Sequence, residues 1–131
     1  VLDAIDEDFD FILVNFSNPD TVAHTGNIPA SIRALEACDV CTKQILDKAK
    51  DNFYELAIVA DHGNIEYMKD EAGNILTCHT DSKVPFVICN ENIKLQSTGS
   101  LKDVIPTIVD LYEISKPKEM TGNSLIVKSE K

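Results

Sequence analysis

The chain has 131 residues, enough for one domain with a real hydrophobic core, and 44% of them are apolar, as in an ordinary globular protein. Lys and Arg number 12 against 22 Asp and Glu, giving a formal charge of −10, which argues against nucleic-acid binding and against docking on anionic membranes. It does not exclude a phosphorylated substrate, because bound divalent cations invert the local charge.

VLDAIDEDF opens the chain without a methionine and reads as a cut inside a longer protein. Asp8 to Phe16, DFDFILVNF, is the first predicted strand, apolar enough for the buried interior of a parallel sheet. SNPDTVAHTGN, rich in turn formers, is predicted as a loop at that strand's C-terminal end. Asn27 is a predicted N-cap, and Pro29 suits a first helical turn. Ile28, Ile32, Leu35, Cys38, Ile45, Leu46 and Ala49 recur at helical spacing, so a helix is expected over 28–50.

LAIVA, Leu56 to Ala60, is a second buried strand, broken at once by DHGN. Ile65 to Met68 and Ile75 to Cys78 flank a turn-forming stretch and read as a small hairpin. PFVIC, Pro85 to Cys89, is a third buried strand, with a short one expected at 94–96. Ser100 is predicted to cap a helix through Tyr112, bent by Pro106. A loop and a short apolar piece complete the chain. Strand, helix, strand, hairpin, strand, helix predicts an α/β fold: a mainly parallel sheet flanked by helices, with ligands beyond the C-terminal strand ends. No apolar run approaches the roughly 20 residues of a membrane span. An acidic chain with scattered cysteines and no leader is expected in the cytoplasm.

The chain has 3 histidines, and each sits near an aspartate. His24 follows Asp20 at i+4, His62 follows Asp61, and His79 precedes Asp81 by two. Imidazole nitrogen with carboxylate oxygen suits Zn²⁺, Mn²⁺ and similar ions. Asp20, His24, Asp61, His62 and His79 could therefore build a one-metal site or begin a two-metal site that clamps a phosphoryl oxygen. The plain alternative is a set of ordinary surface residues, with DHG a turn in which Gly63 takes a positive φ and His79 solvated. Glu66 and Asp70 read as solvated loop acids. Cys38-x-x-Cys41 raises a rival, a non-catalytic zinc or thiol module, but it falls within the predicted helix rather than at its start.

NFSNPDTVAHTGN, VADHGN, CHTDSKVPFVI, GSLKDVIPTIVDL and KPKEMTGNSLI together resemble, in order and spacing, the C-terminal part of cofactor-independent phosphoglycerate mutases, from about Asp8 to Ile126. That family belongs to the alkaline phosphatase superfamily. The resemblance implies a glycolytic isomerase that interconverts 3-phosphoglycerate and 2-phosphoglycerate through a phosphoserine, supported by two Mn²⁺ ions, with Zn²⁺, Co²⁺ or Mg²⁺ as alternatives. It assigns Asp20, His24 and His79 to one metal, and Asp61 and His62 to part of the set for the other. The nucleophilic serine's motif, a further aspartate ligand and the inserted domain carrying most substrate-binding arginines are absent from these residues; Arg33 is the one arginine. The implied reading is a C-terminal fragment, residues 1–131, of the phosphatase-like domain. At most one metal site is expected to be well formed, turnover is not expected from the chain alone, and self-association through a normally covered surface is. A phosphopentomutase or a metal-dependent phosphatase of the same superfamily is the alternative enzyme.

Overall fold

A computed structural model describes residues 1–128, so the end of the predicted tail lies outside the described residues. The chain divides into two compact units, Val1–Val87 and the part from Ile88 onward.

The first unit is organised by α3 (Ile28–Asp51), against which α1 (Leu2–Asp6) and α2 (Asn18–Ala23) pack. Asn27 caps α3, its side chain accepting from the Ala30 N–H at 3.1 Å, and Pro29 lies in the first turn, where its missing N–H costs nothing. The predicted boundaries agree within one residue. At the far end Tyr54 N–H donates to Ala49 O (2.9 Å) and Phe53 N–H to Lys50 O (3.4 Å). This is a Schellman closure, with Phe53 at φ 61° in the position usually given to glycine. Ala23 and Ile5 are buried where α2 and α1 meet α3. Ile32 and Leu35, on the apolar stripe of α3, line an open groove with residues 65–69.

The architecture is α/β with little regular sheet. β1 (Ala57–Val59) pairs with β2 (Phe86–Ile88), both inside predicted strands. Their outer faces are less buried than expected, with Ile58, Val59 and Val87 exposed. The hairpin appears as two antiparallel bridges, Lys69 with Ile75 and Gly63 with Thr80. Asp70 closes its turn by accepting from Asn74 N (2.7 Å) and Asn74 Nδ2 (2.8 Å), so it is a turn former rather than a merely solvated acid.

Two expectations are corrected. The predicted strand over 8–16 forms no ladder, and Phe9, Phe11, Leu13, Val14 and Phe16 are exposed. An apolar run sets strand propensity, but a strand exists only through a partner strand's backbone hydrogen bonds; among the described residues none of these reaches it, and the Phe9 carbonyl instead accepts from the Tyr54 hydroxyl. The predicted loop after it contains α2 instead. Pro19 at the helix start and Asp20 in the first turn favour nucleation there.

In the second unit a 3-10 turn (Leu101–Asp103) leads into α4 (Val104–Leu111). Pro106 therefore sits in the first turn of α4 and is tolerated there, not at a mid-helix bend. The short strand expected at 94–96 is a single bridge, Leu95 with Ile126. Thr107, fully buried, donates to Asp103 O (2.7 Å) and accepts from Leu125 N (3.0 Å). Asp103 is the staple: one carboxylate oxygen accepts from Ser100 N and the other from Asn123 N, both at 2.8 Å.

Those N–H groups, that of Asn123 first, hold the Asp103 carboxyl below its ordinary range. A depressed folded-state pKa contributes stability that is present above the unfolded value, about 4, and is lost as pH falls through the lowered folded value. Acidification from about pH 5 to about pH 3 is thus expected to lower the urea midpoint less in Asp103→Asn than in the wild type. Equal acid slopes would rule out Asp103 as the acid-labile staple.

Candidate metal centre

The site lies wholly within the first unit and rests on three local structures. Helix α2 carries Asp20, and His24, its C-cap in helical conformation, follows four residues on, hence on the same face. The 61–64 turn follows β1 and carries Asp61, His62 and Asn64. The return arm of the hairpin, residues 77–80, carries His79.

Asp20 Oδ1 lies 3.2 Å from His24 Nε2 and 3.2 Å from His79 Nε2. The two ring nitrogens are 3.1 Å apart. These three atoms form a nearly equilateral triangle. His24 Nδ1 donates to the Thr77 carbonyl at 2.6 Å. A carbonyl can only accept, so the neutral ring carries its proton on Nδ1 and turns the Nε2 lone pair into the triangle. Asn64 is 5% exposed and donates from Nδ2 to Asp20 Oδ1 at 2.6 Å. This amide is the main cause holding the Asp20 carboxyl below its ordinary range; the surrounding imidazoles add to it, and burial opposes it.

The donor set fits a small divalent cation. A tetrahedral ion with bonds of about 2.0–2.1 Å separates its ligand atoms by roughly 3.4 Å, and an octahedral one separates neighbouring ligands by roughly 3 Å. The observed edges fall between these values. One proton inside the triangle can serve only some of its edges, whereas a cation takes a lone pair from every corner.

His62 stands beside the triangle. Its ring stacks on His79 with centroids 3.6 Å apart, and its Nε2 is 4.0 Å from Asp20 Oδ1 and 3.6 Å from Asp61 Oδ2. Asp20, His62 and His79 also present ligand atoms within 4.8 Å of one another, a looser grouping than the triangle. His62 Nδ1 is buried without a hydrogen-bond partner among the described residues. Asp61 is largely exposed, and among the described residues its ion-pair partner is His62, beside it in sequence. All five predicted residues are thus in one neighbourhood, but Asp20, His24 and His79 share one centre while Asp61 does not touch it.

Sequence reasoning missed two residues, Asn64 and Glu66. Glu66 is exposed, as expected of a loop acid, but it is also engaged: its Oε2 accepts from Asn64 N at 2.6 Å and its Oε1 from the Thr80 hydroxyl. The Thr80 hydroxyl, with further donors at Ser82 and Asn64, brings the Glu66 carboxyl down to about 2. The available signal was spacing, since DHGNIE sets an amide and a carboxylate two residues apart just after the ligand turn. Gly63 also has another reason than the one expected. Its φ is not positive, but a Cβ there would strike the Thr80 hydroxyl and the Glu66 carboxylate. Glycine is required by close approach of two loops rather than by torsion.

The Metalloenzyme superfamily matches residues 1–116. Among curated proteins, a 2,3-bisphosphoglycerate-independent phosphoglycerate mutase of Clostridioides difficile (strain 630) is 48% identical over 97% of this chain and 26% of its own length. A protein of the same description from Mycoplasma genitalium is 49% identical over 90% of this chain and 23% of its own length. Among solved structures, phosphoglycerate mutase of Leishmania mexicana at low cobalt concentration matches with a TM-score of 0.81 and 28% identity, over 96% of this chain and 26% of that chain. The chain thus spans about a quarter of the length of these relatives.

Gly63→Ala is expected to cost roughly 1–3 kcal/mol of stability, the usual price of overpacking, read as a lower urea midpoint. An unchanged midpoint would mean that the two loops separate freely and that their close approach is not required.

Proposed function

Because the chain belongs to the Metalloenzyme superfamily, which implies a divalent metal, we propose that it forms the metal-binding part of a 2,3-bisphosphoglycerate-independent phosphoglycerate mutase. The whole enzyme, on this reading, interconverts 3-phosphoglycerate and 2-phosphoglycerate in the cytoplasm, through a phosphoserine whose nucleophile is not among these residues. The observation that carries the proposal is the convergence of Asp20 Oδ1, His24 Nε2 and His79 Nε2 within 3.1–3.2 Å. The relatives named for this activity support it.

When bound, two divalent ions would offset the charge of a transferred phosphoryl group and lower the pKa of an attacking hydroxyl. Asp20, His24 and His79 would hold one ion, taken as Mn²⁺. Cobalt, named for the Leishmania mexicana structure, is a practical substitute. Asp61 and His62 would supply part of a second set. The orphaned, buried His62 Nδ1 supports a partner for that ring beyond these residues. Within the chain, Thr77 O sets the tautomer of the neutral His24 ring, and the Asn64 amide holds the Asp20 carboxyl below its ordinary range. Among the described residues no helix is long and apolar enough to cross a membrane, which is consistent with a glycolytic role.

Calorimetric titration of the 131-residue chain with Mn²⁺ should show one binding event that His24→Ala abolishes. Affinity should fall on acidification, because ring nitrogens must be free of protons to ligate. The same chain should not turn over 3-phosphoglycerate. Mn²⁺ binding unchanged in His24→Ala would falsify the ligand assignment, and turnover by the chain alone would sink the division of labour.

The exposed Phe9, Phe11, Leu13, Val14 and Phe16, on a segment without ladder partners among the described residues, support self-association of the isolated chain. Sedimentation at rising concentration should show dimers or larger species. A monomer throughout would exclude it.

A further inference from the structure

The span 77–80 is held at both ends of the ligand it carries. At one end the Thr77 carbonyl accepts the His24 ring proton at 2.6 Å. At the other, the Thr80 hydroxyl donates to Glu66, and Thr80 N–H donates to Gly63 O at 2.9 Å. His79 lies between them. The same Glu66 carboxylate receives Asn64 N–H at 2.6 Å through its second oxygen, and the Asn64 side chain donates to Asp20 Oδ1 at 2.6 Å. One side chain therefore ties the turn after β1 to the arm bearing His79, and it touches none of the proposed ligands itself.

From this arrangement we infer that Glu66 is a positioning residue for the metal centre. It sets the separation of the 61–64 and 77–80 loops, and so fixes both the His24 tautomer and the Asp20 orientation. The inference rests on the metal reading proposed above. Two roles are separable by chemistry. If Glu66 acts through its negative charge near a cation, its amide analogue should fail as badly as alanine. If it acts by bridging, Glu66→Gln should serve, because the amide oxygen can still accept from Asn64 N while the amide nitrogen donates to the Thr80 oxygen.

The test uses the full chain and Co²⁺ as the probe, with two readouts. Calorimetry gives affinity, and long-range ¹H–¹⁵N spectra of the metal-free protein report which nitrogen of His24 is protonated. Glu66→Ala should bind Co²⁺ roughly 10–100-fold more weakly, the range typical for lost outer-shell partners, and should lose the Nδ1–H pattern of His24. Glu66→Gln should remain within about threefold of the wild type and keep the pattern, by the same bridging argument. Wild-type affinity in Glu66→Ala, or equal loss in both variants, overturns the positioning role. The metal reading fails separately, and is recognised by a wild-type chain that binds no Co²⁺ or by binding that His24→Ala leaves intact. Should Glu66→Ala unfold, the Glu66→Gln comparison still decides between bridge and charge.

Discussion

A single carboxylate oxygen organises the first unit. Asp20 Oδ1 receives the Asn64 amide and faces the Nε2 atoms of His24 and His79 at equal distance. A lone-pair nitrogen held 3.2 Å from a carboxylate oxygen is unfavourable unless something positive lies between them. The surrounding hydrogen bonds keep the groups together nevertheless, an arrangement that suits the proposed cation.

The preorganisation comes from outside the triangle. His24 is turned by a backbone carbonyl, Asp20 by a buried amide, and the loop bearing the third corner by the Glu66–Thr80 contact. Gly63 leaves the room in which that contact forms. Helix α2 and the devices on residues 63–66 and 77–80 are three stretches of chain, so the centre is only as rigid as the packing of those stretches. The packing of α2 on α3, with Ala23 fully buried, anchors the first of them.

The opposite situation holds at Phe9 to Phe16. These residues have the composition of a buried strand and the exposure of a surface. Burial of such side chains is favourable at about 25 cal/mol per Å², yet the described residues offer no ladder to receive them. The first unit thus combines a locally complete polar centre with an incomplete apolar layer, as fits a chain spanning about a quarter of its relatives' length.

The sequence by itself determined the local structure. The Asn27 cap and Pro29 start α3, the apolar runs of β1 and β2 place two strands, and the motif-bearing Asp and His residues were legible from type and spacing. Helix periodicity, capping and chelating chemistry are encoded in residues a few positions apart, so they can be read from a string. Tertiary structure alone decided what lies across long gaps: that His79 meets His24, that Asn64 and Glu66 brace them, and that Gly63 is required for space rather than torsion. It also decided that the 8–16 run has no ladder among the described residues. A side chain's partner, unlike its propensity, depends on what the rest of the fold brings within hydrogen-bonding distance.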